Sequence, residues 1–206
     1  FPLDEGTGLL ATQRPPWETA LAQPVTFWPA TPTVERYRST QLINSRSFTV
    51  EAALNFSFGD QGVLVAHGDQ GGGYALYIEN DHLYLAYNGY GVMTVLDGGP
   101  LTTGETTLTL SMEAPGKKLW HATLRVDGNA TAQADGLPML SSMAPFEGIN
   151  IGTDRRSPVS WDLYQRHGTF PWTGTLRNVT YTPGELAPDA TARWIETMRE
   201  TGTRFD

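Results

Sequence analysis

The chain has 206 residues, of which 39% are hydrophobic and 17% charged, and its formal net charge is −8. This negative charge excludes nucleic acid as an expected partner, because binding to phosphates depends mostly on electrostatic attraction. A membrane-spanning segment is not expected either, because no apolar run approaches the roughly 20 residues needed to cross a bilayer. The absence of cysteine excludes disulfides, thiolate nucleophiles and Cys-ligated zinc.

In chain order, the sequence divides into three parts. Residues 1–36 are rich in Pro and Trp without a steady period, so we expect an irregular segment that wraps around the body or reaches toward a neighbouring domain. Residues 37–186 carry short alternating runs separated by turn signals such as Asp127-Gly-Asn129. Residues 187–206 predict a C-terminal helix and tail, with Pro188 in the first turn of the helix and Gly202 after its end.

The alternation is longest between Phe48 and Phe58, where every second residue is apolar. Similar but shorter runs predict further strands over residues 62–67, 74–79, 82–88, 92–96, 105–112, 119–126, 129–134, 148–152 and 173–182. Evenly spaced strands joined by tight turns, with no helical period between them, predict an all-β fold: an antiparallel sandwich of two sheets.

The glycine-rich stretch His67-Gly-Asp-Gln-Gly-Gly-Gly-Tyr74 could be a phosphate-binding loop or a turn. A phosphate-binding loop leads from a strand into a helix, whereas here a predicted strand follows the glycines. The glycines therefore indicate positive φ angles or a close backbone approach between two strands. His67 and Asp69 could still line a shallow pocket, but without a second ligand pair they do not indicate a transition-metal site.

The loop that follows residues 148–152 concentrates polar and aromatic residues. Its acids Asp154 and Asp162 could hold a calcium ion, which prefers oxygen ligands; the alternative is that these acids pair with nearby arginines. Long loops in compact domains are usually functional or disordered, and aromatic and arginine side chains are typical of interfaces. Four such residues, with His67 and Asp69 as neighbours, are interface or ligand candidates: Trp161, Tyr164, Arg166 and His167. The alternative is a loop folded over its own sandwich edge.

No catalytic constellation is recognisable in the sequence. There is no G-x-S-x-G nucleophile motif and no pair of carboxylates on one strand, as a glycosidase would need. We therefore expect no catalytic residue in this chain. Exposed aromatic side chains on a sandwich could instead stack on sugars or fill pockets of a partner.

Several segments, in order and spacing, resemble the C-terminal part of large bacterial arylsulfatases. They are Asn44–Val50, Gly62–Gly68, Gly72–Tyr77, Leu85–Asn88, Gly152–Ser160 and Phe170–Val179. The resemblance implies a concanavalin-like or laminin-G-like sandwich, appended to a sulfatase catalytic domain that is missing from this chain. In that family, the formylglycine nucleophile and the calcium ion belong to the catalytic domain, so this chain would need no cofactor of its own.

Two functions remain open after this resemblance. The first is an accessory domain that packs on the sulfatase catalytic domain, with the loop from Asp154 to Phe170 facing that domain or the entrance for a sulfate ester. The second is an autonomous, lectin-like carbohydrate-binding module. We expect the chain to be part of a longer bacterial protein, and both the cytoplasm and the periplasm remain open as its compartment.

Overall fold

The computed structural model describes residues 23–140, 147–193 and 195. The helices named here are α1 (Arg36–Ile43) and α2 (Trp161–His167). The strands are β1 (Val25–Phe27), β2 (Arg46–Phe56), β3 (Gly62–Asp69), β4 (Gly72–Glu79), β5 (His82–Gly89), β6 (Val92–Pro100), β7 (Gly104–Gly116), β8 (Leu119–Val126), β9 (Asn129–Pro138), β10 (Ile149–Ile151) and β11 (Thr175–Leu186).

The strands form two antiparallel sheets. One has the order β1-β11-β2-β7-β8-β9 and the other β10-β3-β4-β5-β6. The predicted strands correspond to β2 through β11, and the predicted all-β sandwich of two antiparallel sheets is confirmed. Along β2, Phe48, Val50 and Leu54 are buried while Glu51 and Asn55 are exposed, as the period of two requires.

The main core lies between the two sheets and is rich in aromatic side chains. The Phe48 ring contacts Trp120 edge to face, with 5.4 Å between ring centroids, and Tyr87 also packs on Trp120. The indole Nε1 of Trp120 donates to the carbonyl oxygen of Arg46 at 2.9 Å, so this buried polar atom is satisfied. The inner faces of both sheets are thereby fixed against each other.

The five-stranded sheet is buried on both faces at its strands β3 and β4. All eight residues of β3 and all eight of β4 are buried, which an ordinary sandwich strand with one wet face would not show. On its outer face, a second apolar cluster joins Ala66, Tyr77 and Ala86 of the sheet to residues that follow β10, including Leu163 and Phe170. The long segment 152–172 therefore folds over the outer face of its own sheet and carries α2 there.

Two elements near the start of the described chain differ from the sequence predictions. Part of the segment expected to be irregular forms β1, which pairs with β11. Helix α1 was not predicted, and it begins after Glu35, whose carboxylate accepts the backbone N–H groups of Tyr37 and Arg38. Residues 190–193 and 195 are helical, as predicted, and the remainder of that predicted helix lies outside the described residues.

No helix within the described ranges combines the length and apolar character required to cross a membrane.

Candidate functional site

Helix α2 is the element that places most of the candidate residues. It begins at Ser160, whose hydroxyl accepts the backbone N–H of Leu163, and it ends at Gly168, which has φ of 67°. Asp162 lies in its first turn and two basic residues in its last, an arrangement that complements the helix dipole. Leu163 is buried in the outer cluster, so one side of this short helix is fixed to the sheet.

Arg166 and His167 bind the end of α2 to β4. Both side chains contact the same oxygen of Glu79, Oε1, and the distance from His167 Nε2 is 2.5 Å. The Arg166 guanidinium is the main cause of the lowered pKa of Glu79. The His167 ring also stacks on Phe170, with 4.1 Å between centroids. These two candidates therefore position the helix through Glu79, which sequence reasoning did not connect with them.

Trp161 and Tyr164 form an exposed aromatic pair on α2. Trp161 is 50% exposed and Tyr164 36% exposed, and their rings stack with 5.3 Å between centroids and 25° between planes. The pair lies three residues apart on one helix, which is the spacing that makes side chains neighbours. Two stacked, nearly parallel rings that are partly open to solvent offer an apolar platform for a flat ligand face.

His67 lies inside the sandwich, so it does not line the shallow surface pocket that the sequence left open for it. Its Nε2 is 3.1 Å from the Ser39 hydroxyl and its Nδ1 is 3.4 Å from the Tyr74 hydroxyl, which donates to Tyr181 at 2.9 Å. Burial lowers the pKa of His67 to about 3, so the imidazole is neutral at neutral pH. These four side chains form a buried polar chain that joins α1, β3, β4 and β11.

Asp69 is also buried, and it shapes the turn between β3 and β4. Its Oδ1 accepts the backbone N–H of Gly71 at 2.7 Å, and its Oδ2 accepts that of Glu147 at 2.8 Å. The Asn88 amide donates to the carbonyl oxygens of Gln70 and Val159. The glycine-rich stretch is therefore a turn between two strands, and its polar neighbours fix the adjacent loops.

Asp154, a calcium candidate, is 5% exposed. Its Oδ2 accepts the backbone N–H of Val159 at 2.8 Å, whereas its Oδ1 is buried without a hydrogen-bond partner among the described residues. Burial raises the pKa of Asp154 to about 7, and the nearby carboxylates of Glu147 and Asp69 add to the rise. The second candidate, Asp162, is exposed on α2.

In the part of the chain that the structure describes, no group of three or more His, Cys, Asp or Glu residues is arranged to hold a metal ion. Calcium at Asp154 therefore stays a prediction.

A cleft that sequence reasoning missed lies beside the same segment. It has a volume of about 780 Å³ and is lined by residues from four stretches of chain. The stretches are 29–30, 151–155, 169–172 and 174–176, and they include Arg155, Trp172 and the threonines Thr153, Thr169 and Thr175. Because residues 29–30, 151–155 and 169–176 are separated along the sequence, no local motif could indicate that they meet.

No protein-family model and no curated protein sequence matches this chain. Comparison with solved structures does find similar folds. The Ruminococcus gnavus IT-sialidase CBM40 bound to α2,3-sialyllactose has a TM-score of 0.54 and 17% identity, over 81% of this chain and 92% of that one. A second structure of that domain has a TM-score of 0.52 and 15% identity, over 80% of this chain and 95% of that one.

A leech intramolecular trans-sialidase is similar over 82% of this chain, with a TM-score of 0.54 and 13% identity. This chain spans only 26% of the leech enzyme, so the likeness concerns one part of that protein. None of these neighbours is a sulfatase. At such low identities the comparisons show the fold, and this chain has the two-sheet β-sandwich fold of the sialidase CBM40 domain.

Proposed function

We propose that this chain is a carbohydrate-binding module without catalytic activity of its own, and that it binds glycans on the exposed face of α2. The observation that carries the proposal is the stacked, solvent-exposed pair Trp161 and Tyr164. Sugar rings present flat faces of C–H groups, and aromatic rings held in a fixed orientation receive such faces with little loss of side-chain entropy.

The anchoring of α2 supports this proposal. Leu163 lies in the outer apolar cluster, and Arg166 and His167 both contact Glu79, so the helix that carries the two rings is attached to the sheet at several points. A binding platform is more effective when its side chains are positioned before the ligand arrives, because less ordering is required on binding. The fold supports the proposal independently, since the CBM40 neighbour was solved with a bound sialyllactose.

The proposal is tested by isothermal titration calorimetry of the chain against a panel of neutral and acidic oligosaccharides. The double variant Trp161→Ala/Tyr164→Ala is expected to bind at least about tenfold more weakly, because truncating aromatic contacts at a binding centre typically costs more than 1 kcal/mol. Tyr37→Ala is the matched control, since Tyr37 is 77% exposed on the other helix, α1. Full binding by the double variant, or no binding of any glycan by the wild type, would contradict the proposal.

An accessory role beside a sulfatase catalytic domain rests on the sequence resemblance, and no observation in the described residues favours it. That role predicts a sulfatase catalytic domain in the same protein, to which this chain binds. If the wild type binds that catalytic domain and the Trp161→Ala/Tyr164→Ala variant does not, the result would favour this role over glycan binding.

A further inference from the structure

The cleft described above has two walls that hydrogen bonds connect to each other. The backbone N–H of Trp172 donates to the carbonyl oxygen of Gly152 at 2.9 Å. The carbonyl oxygen of Thr169 accepts both the backbone N–H of Asp154 at 3.0 Å and the Thr153 hydroxyl at 2.9 Å. These hydrogen bonds hold stretches 151–155 and 169–172 together, so the cleft is formed before any ligand binds.

Arg155 is the one charged side chain among the described residues that line this cleft. It is exposed, and the ion pairs that arginines make within the described ranges involve Arg38, Arg166, Arg177 and Arg193 instead. The carboxylate of its neighbour Asp154 instead accepts a hydrogen bond from the backbone N–H of Val159. In a chain with a net charge of −8, an arginine that lines a cleft and has no carboxylate partner among the described residues is suited to an anionic ligand.

The rest of the lining restricts what kind of anion fits. Trp172 and Pro171 supply apolar surface, while Thr169 and Thr175 add hydroxyl groups that can donate and accept hydrogen bonds. Inorganic phosphate and nucleotides are bound by clusters of cations or backbone N–H groups, whereas this cleft offers one guanidinium. A ring with one apolar face, several hydroxyl groups and one oxyanion matches this lining better.

We propose that this cleft binds an acidic sugar and that Arg155 receives its oxyanion, either a carboxylate or a sulfate ester. This inference rests on the proposed function and goes beyond it, because it adds a second site, whose lining includes neither Trp161 nor Tyr164, and names the class of glycan that binds there. The guanidinium fork suits both oxyanions, since it can donate two parallel hydrogen bonds to a pair of oxygens. The Trp172 ring and the threonine hydroxyls contact the sugar to which the oxyanion is attached.

The test compares matched ligands by isothermal titration calorimetry. Lactose is the neutral parent, sialyllactose carries a carboxylate, and lactose sulfate carries a sulfate ester. Both acidic ligands are expected to bind the wild type about tenfold more tightly than lactose, and Arg155→Gln is expected to remove that difference while the affinity for lactose stays unchanged. The control is Arg156→Gln, which changes the adjacent exposed arginine, absent from the lining of the cleft.

The outcomes separate this inference from the proposed function. If lactose and its acidic derivatives bind equally well, or if Arg155→Gln keeps the preference for acidic ligands, the cleft proposal is wrong and the glycan-binding proposal stands. If none of these three ligands binds, the cleft proposal is wrong, whereas the glycan-binding proposal is decided by the wider oligosaccharide panel described above. Inorganic sulfate serves as a further probe, because competition by sulfate as strong as that by lactose sulfate would show a simple anion site and overturn the sugar assignment.

A second measurement locates the ligand. In ¹H–¹⁵N spectra of the chain, an acidic sugar is expected to shift the amide signals of Thr153, Thr169 and Thr175, which line the cleft. Shifts confined to α2 would place the ligand on the Trp161 and Tyr164 platform alone and would overturn the cleft proposal. Circular dichroism of Arg155→Gln checks that the fold is retained.

Discussion

Replacing Asp154 by Asn should stabilise the protein at alkaline pH. The pKa of Asp154 is raised from 3.8 to about 7, chiefly by burial. Because the folded-state pKa lies above the unfolded-state pKa, the contribution of this group to stability is largest below about pH 4 and is lost as the pH rises to about 7. About three pH units, at roughly 1.4 kcal/mol each, correspond to a cost of roughly 4 kcal/mol above pH 7. Asparagine removes the charge and keeps an acceptor for the backbone N–H of Val159.

The assay is urea unfolding of the wild type and the variant at about pH 5 and about pH 8, in the presence of EDTA. Asp154→Asn should already be more stable than the wild type by roughly 1.5 kcal/mol at the lower pH, where the unfolded-state carboxyl is mostly ionised, and by up to roughly 4 kcal/mol at the higher pH. His67, whose pKa burial lowers to about 3, destabilises both proteins equally as the pH falls below 6.5, so it cancels in the comparison. Asp162→Asn, which changes an exposed acid, is the control. Equal stability of Asp154→Asn and wild type at alkaline pH would refute the reasoning.

Three further predictions concern strand β4, its contacts with α2, and Asp154. Gly73→Ala should destabilise the fold by about 1–3 kcal/mol in urea unfolding, because its Cβ would lie 2.4 Å from the carbonyl oxygen of His67; unchanged stability would contradict this close approach. Glu79→Gln should speed hydrogen exchange of the α2 amides, because the charged contacts to Arg166 and His167 are lost, whereas unchanged exchange would mean that other contacts hold the helix. Calcium binding at Asp154 predicts that calcium, but not magnesium, raises the melting temperature of the wild type and not of Asp154→Asn; no calcium effect would end that prediction.

The strands could be predicted because most of them have one wet face. In β2 and β7 the buried and exposed residues alternate, so the period of two is visible in the sequence. Helices α1 and α2 could not be predicted in the same way. Helix α2 has seven residues, which is too short to show a helical period, and α1 has a polar sequence in which Ser39, Leu42 and Ile43 are the buried residues.

The candidate site could be predicted only in part. The density of aromatic and basic residues in the segment after β10 drew attention to Trp161 and Tyr164, which are exposed and adjacent. It could not show that Arg166 and His167 share Glu79, because that contact joins residues more than 80 positions apart. The position of His67 was also hidden, since both faces of β3 are buried and the alternation that tells inside from outside is missing there.

The complete burial of β3 and β4 has a consequence for strand alignment. Where one face of a strand is wet, a slip of one residue moves apolar side chains into water, and this penalty fixes the pairing. In β3 and β4 both faces are dry, so apolar burial alone distinguishes the correct alignment from a slipped one only weakly. The buried polar chain of Ser39, His67, Tyr74 and Tyr181 distinguishes the correct alignment from the slipped one. A slip of one residue would turn His67 to the opposite face, away from Ser39 and Tyr74, and leave buried polar atoms without partners.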